Sequence, residues 1–369
     1  RHASLLRQAL GPTWLAAMAV IVAGAATILF FVYRDTDYSQ TLWWQFEFSE
    51  EAPRGLRALL GLVLASSTVA IFSLLRPVIY RPDEIHPEDI QKATAIVEKQ
   101  GVADANLVRM GDKHVMLSES GNAFIMYGIR GRSWIALADP VGDENDFSDL
   151  VWQFVEQARA FGARAVFYQI SPAILPYCAD AGLRAFKLGE LAMVDLKRFE
   201  LKGGKLANLR QSLSRGARDG LTFSVVDTPD VPEIYDALKN VSDSWLAHHN
   251  TREKTFSLGS FEKDYILSQP VAVLRKDGQI TAFANLLMTQ TKDEVTVDLM
   301  RFSPDAPRGS MDFLFVSIIE YMREQGYSYF NLGMAPLSGM SKREAAPVWD
   351  RIGGTLFEHG ERFYNFKGL

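Results

Sequence analysis

Two stretches of this chain repeat one plan, and that repetition limits the available folds more than any other feature. The first runs HVMLSES (114–120), NAFIMYGIR (122–130), SWIALADPVG (133–142), FSDLVWQFVEQARAFG (147–162) and ARAVFYQIS (163–171). The second runs VAVLRKDG (271–278), ITAFANLLMTQ (280–290), VTVDLMRF (295–302), SMDFLFVSIIEYMREQG (310–326) and YSYFNLG (327–333). Each reads as three hairpin-joined strands, an amphipathic helix and a further strand, which predicts duplication of one α/β unit. Phe147, Leu150, Val151, Phe154, Val155, Ala158 and Phe161 form one apolar face at spacings of three and four. Leu314, Phe315, Ile318, Ile319 and Met322 form the other, and Gly162 and Gly326 end the two helices.

The order β-β-β-α-β with a mixed sheet is that of the GNAT acyltransferase fold, which does not by itself assign a chemistry. It predicts a first GNAT-like domain over 86–200, a basic connecting helix over 201–220 and a second GNAT-like domain over 221–369.

The first 85 residues read differently. Residues 13–33, TWLAAMAVIVAGAATILFFVY, and 58–75, ALLGLVLASSTVAIFSLL, carry no charge. At ~1.5 Å per residue each is long enough to cross a ~30 Å hydrocarbon layer. The expected fold class is therefore α/β, with two transmembrane helices (about 13–33 and 57–75) ahead of tandem GNAT-like domains. Arg1 in place of Met, and a run too long for a signal peptide, suggest a fragment of a longer membrane protein. The loop between the spans holds Asp35, Asp37, Glu47, Glu50 and Glu51 against Arg34 and Arg54, while Arg1, Arg7, Arg76 and Arg81 flank the other side. Positive-inside bias puts that loop outside and the C-terminal part in the cytoplasm, with Arg57 counting against it.

The net charge is -5, and the single Cys178 excludes an internal disulfide. The adjacent His248 and His249 diverge on any regular element, and no Cys/His spacing suggests zinc. Against the acidic background, residues 193–220 concentrate Lys197, Arg198, Lys202, Lys205, Arg210, Arg215 and Arg218, with Leu206, Leu209 and Leu213 on one helical face. Such a helix suits a phosphate backbone or an anionic membrane, or else packs by its leucines as a solvated helix.

Acetyltransferases of this fold hold the coenzyme A pyrophosphate on a loop of the type R-x-x-G-x-G/A ahead of a helix. Here that place reads FSPDAPRGSMDF (302–313). Arg308-Gly309 supplies part of an anion-binding helix start, but the second glycine is missing and Pro304 and Pro307 lack N–H donors, so acyl coenzyme A fits poorly.

Several longer motifs occur in one order: ALADPVGD (136–143), FYQISPAILPYCADAGLRAFKLGELAMVDLKRFELKGGK (167–205), REKTFSLGSF (252–261), VDLMRFSPDAPRGSMDFLF (297–315), NLGMAPLSG (331–339) and FYNFKGL (363–369). With the two apolar stretches, the chain resembles the phosphatidylglycerol lysyltransferase family, the multiple-peptide-resistance-factor type of aminoacyl-phosphatidylglycerol synthase. The resemblance implies tandem GNAT-like domains, the second catalytic, behind a many-span flippase bundle in the bacterial inner membrane, with the catalytic domains in the cytoplasm. It also implies transfer of an amino acid from aminoacyl-tRNA to a glycerol hydroxyl of phosphatidylglycerol, which lowers the negative charge of the membrane. The tRNA ester is already activated, so no cofactor is expected. Lysine is the first expectation, alanine or arginine next, and a homo-oligomer is left open. A FemX-like peptidoglycan aminoacyltransferase and a non-catalytic module of a lipid flippase are the alternatives.

The resemblance makes Asp298 and Arg301 functional, Asp298 holding the amino group or helping to deprotonate the hydroxyl, and Arg301 binding phosphate or orienting the acid. A structural ion pair is the alternative. A spacing of three puts the two side chains on opposite faces of a regular strand, so they converge only through a β-bulge or an early strand end. Lys367 is expected near the ester oxygen or the terminal adenosine phosphate. Asn331, Gly333 and Met334 lie where strands of this fold splay, and Arg308 opens the following helix. Glu190 sits in an apolar run, where it needs pairing with Arg184 or Lys187 or a place along the substrate passage. Arg252 and Lys254 join Lys205, Arg210, Arg215 and Arg218 as candidate contacts to tRNA or an anionic membrane.

Overall fold

The computed structural model describes residues 85–341 and the isolated positions 20, 23, 24, 27, 61, 65, 68, 343 and 349. The chain divides into two compact units, Arg1–Arg81 and Pro82–Leu369. Helix α1 (Pro87–Val97) and a 3-10 helix (Ala103–Met110) lead into β1 (His114–Leu117), β2 (Ala123–Arg130), β3 (Ser133–Leu137), β4 (Val141–Gly142), α2 (Phe147–Ala160), β5 (Arg164–Tyr168) and α3 (Leu175–Asp180). The sheet order is β1-β2-β3-β5, with β4 on β2. The hairpin neighbours are antiparallel and β3 and β5 are parallel. A parallel pair needs a crossover, which α2 supplies. Phe154 on its buried face meets the rings of Tyr127, Trp134 and Phe167.

The second sheet collects β6 (Gly189–Asp195), then, after α4 (Ala207–Arg218), β7 (Thr222–Val226), and after α5 (Val231–His248) and α6 (Lys263–Ile266), β8 (Val271–Lys276), β9 (Gln279–Met288), β10 (Glu294–Phe302), α7 (Ser310–Glu324) and β11 (Tyr329–Pro336). Its order is β6-β11-β10-β9-β8-β7. Strands β8 to β11 repeat the plan of the first sheet, two antiparallel pairings followed by a parallel one across α7. Strand β6 pairs antiparallel with β11, so a segment within the expected first domain is an edge strand of the second sheet.

Alternation along the strands gives that sheet two apolar faces. Val271, Val273, Phe283, Leu287 and Leu299 share one core with α1, α5 and, from the first sheet, Phe124, Met126 and Leu137. Ala272, Leu274, Ala282, Ala284 and Leu286 face α7 instead. The first sheet and the second sheet are thus joined by buried apolar surface.

The two apolar stretches at about 13–33 and 57–75 lie outside the described residues, apart from Val20, Ala23, Gly24, Thr27, Gly61, Ala65 and Thr68. Among the described residues no helix is long and apolar enough to cross a membrane. That finding corrects the transmembrane part of the expected fold class, and with it the multi-pass location in the inner membrane. The fold described is mixed α/β.

Helix α4 packs on α7 through Gly216, where a Cβ would collide with the ring of Phe313. In an open helix Gly→Ala is favourable by ~1 kcal/mol. Here Gly216→Ala is expected to destabilise by about 1–3 kcal/mol through overpacking, read from urea unfolding. A stabilising substitution would show that α4 is not seated on Phe313.

Candidate active site

Strands β10 and β11 pair in parallel only through Glu294–Tyr329, Val295–Phe330 and Thr296–Asn331. Beyond that point both lose register with their other neighbours, β10 against β9 between Val297 and Met300 and β11 against β6 between Asn331 and Met334. The pair therefore opens as a wedge. Asp298 and Leu299 together stand opposite Asn285, and Asn285 Oδ1 accepts from Leu299 N at 2.7 Å in place of the interrupted ladder. One extra residue reverses side-chain parity. Asp298 and Arg301 consequently both reach partners in α5, α6 and the loop between these helices.

Both Asp298 oxygens accept from Gly259 N, at 2.9 and 3.0 Å, and Oδ2 also accepts from the Tyr265 hydroxyl at 2.8 Å. Burial raises the Asp298 pKa, while Gly259, Tyr265 and the charges of Lys113 and Arg301 oppose the rise. Arg301 is buried (4% exposed) and donates to Ser242 Oγ at 3.0 Å and Glu253 Oε2 at 2.7 Å, with its guanidinium 4.8 Å from the Trp245 ring centroid. Its ion pair is with Glu253, not Asp298. Gly259 has no room for a side chain, since a Cβ would meet Asp298 Oδ2 and the Tyr265 ring.

At the apex of the wedge, buried Asn331 donates from Nδ2 to Asp104 Oδ2 at 3.2 Å and Glu294 Oε1 at 3.1 Å. Burial, then the charge of Glu294, push the Asp104 carboxyl up to about 6. Burial also raises Glu294. Gly333, at φ 86°, donates its N–H to Asn331 Oδ1 at 2.8 Å, which fixes the amide orientation. Met334 Sδ lies 3.9 Å from Gln169 Nε2 at the end of β5.

Other expected site residues lie away from this cluster. Glu190 is exposed and pairs with Lys187 at 2.9 Å, the second of the two partners its sequence context suggested. Arg308, Arg252, Lys254, Arg215 and Arg218 are exposed, whereas Arg210 donates to the carbonyls of Leu201 and Gly203 and so braces the turn ahead of α4. Lys205 lies in that turn, and Lys367 lies outside the described residues. At the start of α7, Asp312 accepts from Ser212 of α4 at 3.0 Å, so an acid and a helix meet where coenzyme A phosphates would bind. Among the described residues no group of three or more His, Cys, Asp or Glu is arranged for a metal ion.

Sequence reading did not single out Glu253 and Gly259, although both lie in REKTFSLGSF, beside the Arg252 and Lys254 it chose. Tyr265, Asn285, Asp104, Glu294 and Lys113 carry no local signal. They become neighbours only through the tertiary fold.

A duplicated mixed α/β unit with a wedge between its last two parallel strands defines an acyltransferase-like architecture. The family described as "Phosphatidylglycerol lysyltransferase, C-terminal" matches residues 94–369, and the chain belongs to that family. It is 34% identical over 283 residues to a phosphatidylglycerol lysyltransferase of Staphylococcus aureus, a match covering 76% of this chain and 34% of the relative. It is 35% identical over 314 residues to that of Bacillus subtilis, covering 83% and 36%. The chain thus spans about a third of the length of the curated relatives it matches. Among solved structures, the C-terminal domain of a candidate lysylphosphatidylglycerol synthetase from Agrobacterium fabrum is 76% identical, with TM-score 0.69 over 76% of this chain and 85% of that one. L-PGS from Bacillus licheniformis is 38% identical, with TM-score 0.68 over 79% and 87%.

A carboxyl whose folded pKa is raised is protonated more readily in the fold than in the unfolded chain, so it detracts from stability as pH rises past its unfolded value. For Asp104 that window runs from 3.8 to about 6. Asp104→Asn is therefore expected to leave stability nearly unchanged near pH 4 and to raise it by about 3 kcal/mol at pH 7.5, in paired urea unfolding curves. An equal effect at both pH values would contradict the assignment.

Proposed function

We propose that this chain transfers an aminoacyl group, lysine first, from aminoacyl-tRNA to a glycerol hydroxyl of phosphatidylglycerol. Family membership supports the reaction. The observation that carries the residue assignment is the wedge between β10 and β11, with Asp298 oriented at its edge and Asn331 at its apex.

The lipid hydroxyl oxygen attacks the ester carbonyl carbon and forms the new C–O bond, its proton passing to the Asp298 carboxylate. The tetrahedral intermediate then collapses and expels the ribose 3′-oxygen, which takes that proton from Asp298 as it leaves and restores the carboxylate. A carboxylate with its pKa raised by burial is a better base than an ordinary surface acid, and three N–H and O–H contacts keep it oriented. Arg301 acts from behind, its charge favouring the ionised acid while Glu253 compensates it. The same negative cluster, Asp298 with Asp104 and Glu294, favours a substrate bearing ammonium charge. The exposed Arg215 and Arg218 offer a surface for the tRNA backbone.

Incubating the purified chain with lysyl-tRNA and phosphatidylglycerol vesicles, and following lysyl-lipid by mass spectrometry, tests this reading. Asp298→Asn is expected to lower kcat by about a hundredfold or more with an unchanged circular dichroism spectrum. Undiminished product from the folded variant would remove Asp298 from the chemistry.

A further inference from the structure

Tyr265 is buried in α6, 1% exposed, and its hydroxyl donates to Asp298 Oδ2 at 2.8 Å. An ionised carboxylate only accepts, so this hydrogen bond runs one way, from phenol to acid. Burial, and then the charge of Asp298, push the Tyr265 phenol well above its usual range, so it keeps the proton it donates.

We propose that Tyr265 is a positioning residue for the transfer reaction, its hydroxyl donating to Asp298 Oδ2 and so holding that carboxylate ionised and oriented beside the wedge. This rests on the transfer reading above. A tyrosine that merely filled the core would not need its oxygen aimed at the acid. The charged and titratable groups facing Asp298 are Tyr265 from α6, Lys113 from the segment before β1, Arg301 from β10 and Asp104 from the 3-10 helix. Of these, Tyr265 alone donates a hydrogen bond to the carboxylate, so its removal acts on Asp298 directly.

The test follows the Asp298 carboxyl by 13C NMR in the purified full chain, its signal assigned through Asp298→Asn, beside the pH dependence of lysyl-lipid formation. In Tyr265→Phe the Asp298 pKa is expected to rise, the acid limb of kcat to move to higher pH with it, and kcat at neutral pH to fall about tenfold, with KM for lysyl-tRNA little changed. In the wild-type chain the Tyr265 13Cζ signal is expected to shift as Asp298 titrates, which covers the case in which Tyr265→Phe does not fold. An unmoved Asp298 titration in folded Tyr265→Phe, or a wild-type Tyr265 signal that does not follow the Asp298 titration, overturns the proposal. So does an equal loss of kcat at every pH. The NMR titration needs no turnover, so a wild-type chain that forms no lysyl-lipid counts against the transfer reading, while the titration still decides the role of Tyr265.

Discussion

One extra residue in β10 governs the arrangement of the second sheet. Without it, Asp298 and Arg301 would point to opposite faces, the acid into one core and the cation into the other or into solvent. With it, both turn toward α5 and α6, and the strand leaves β11 after three paired residues. The disruption costs ladder hydrogen bonds, and the side chain of Asn285 restores one of them at Leu299. The same irregularity thus supplies the opening, the acid and the support for the acid.

The loop between α5 and α6 closes over this arrangement. Glu253 neutralises buried Arg301, whose charge would otherwise be left without compensation, a loss of about 3–5 kcal/mol for a fully buried pair and less for one with a partly exposed acid. Gly259 presents its N–H to Asp298 from a position where no side chain fits. Between them Phe256 holds φ 79°, a left-handed conformation that is costly for an aromatic residue. Its ring lies 6.2 Å from that of Tyr168 in β5, and a Cβ on Gly128 in β2 would crowd it. The first sheet therefore reaches the site of the second through this loop, which gives the duplicated unit a structural part in the chemistry.

Much of the fold was legible because its signals are periodic. The recurrence of three hairpin-like strands, a helix and a further strand marked β1, β2, β3, β8, β9 and β10, and the 3,4 spacing of Phe154 and Ile318 with their neighbours marked α2 and α7. The bulge was legible as one of two geometric options, since Asp298 and Arg301 three residues apart converge only through a bulge or an early strand end, and β10 takes the first. The partner of β6 was not legible, because pairing between Gly189–Asp195 and Tyr329–Pro336 spans some of the longest sequence separations in the chain and leaves no local trace. The partners of Asp298 escaped for the same reason: Tyr265 and Asn285 are an ordinary tyrosine and an ordinary asparagine until the sheet and α6 bring them together. Arg301 was read as a substrate or acid contact, yet its hydrogen bonds go to Ser242 and Glu253. The charge-free runs near the N-terminus carried a strong hydropathy signal, and among the described residues no helix is long and apolar enough to cross a membrane.

The account depends on the wedge between β10 and β11 being the place where the aminoacyl ester is received. A crystal structure of the chain with a non-hydrolysable lysyl-adenosine analogue tests this most directly. The account predicts the acyl carbonyl between the two diverging strands, within hydrogen-bonding reach of the Asp298 side and with its ammonium groups toward the Asp104, Glu294 and Asp298 carboxylates. An analogue bound elsewhere, with the wedge unchanged and Asp298 still out of contact, would contradict it.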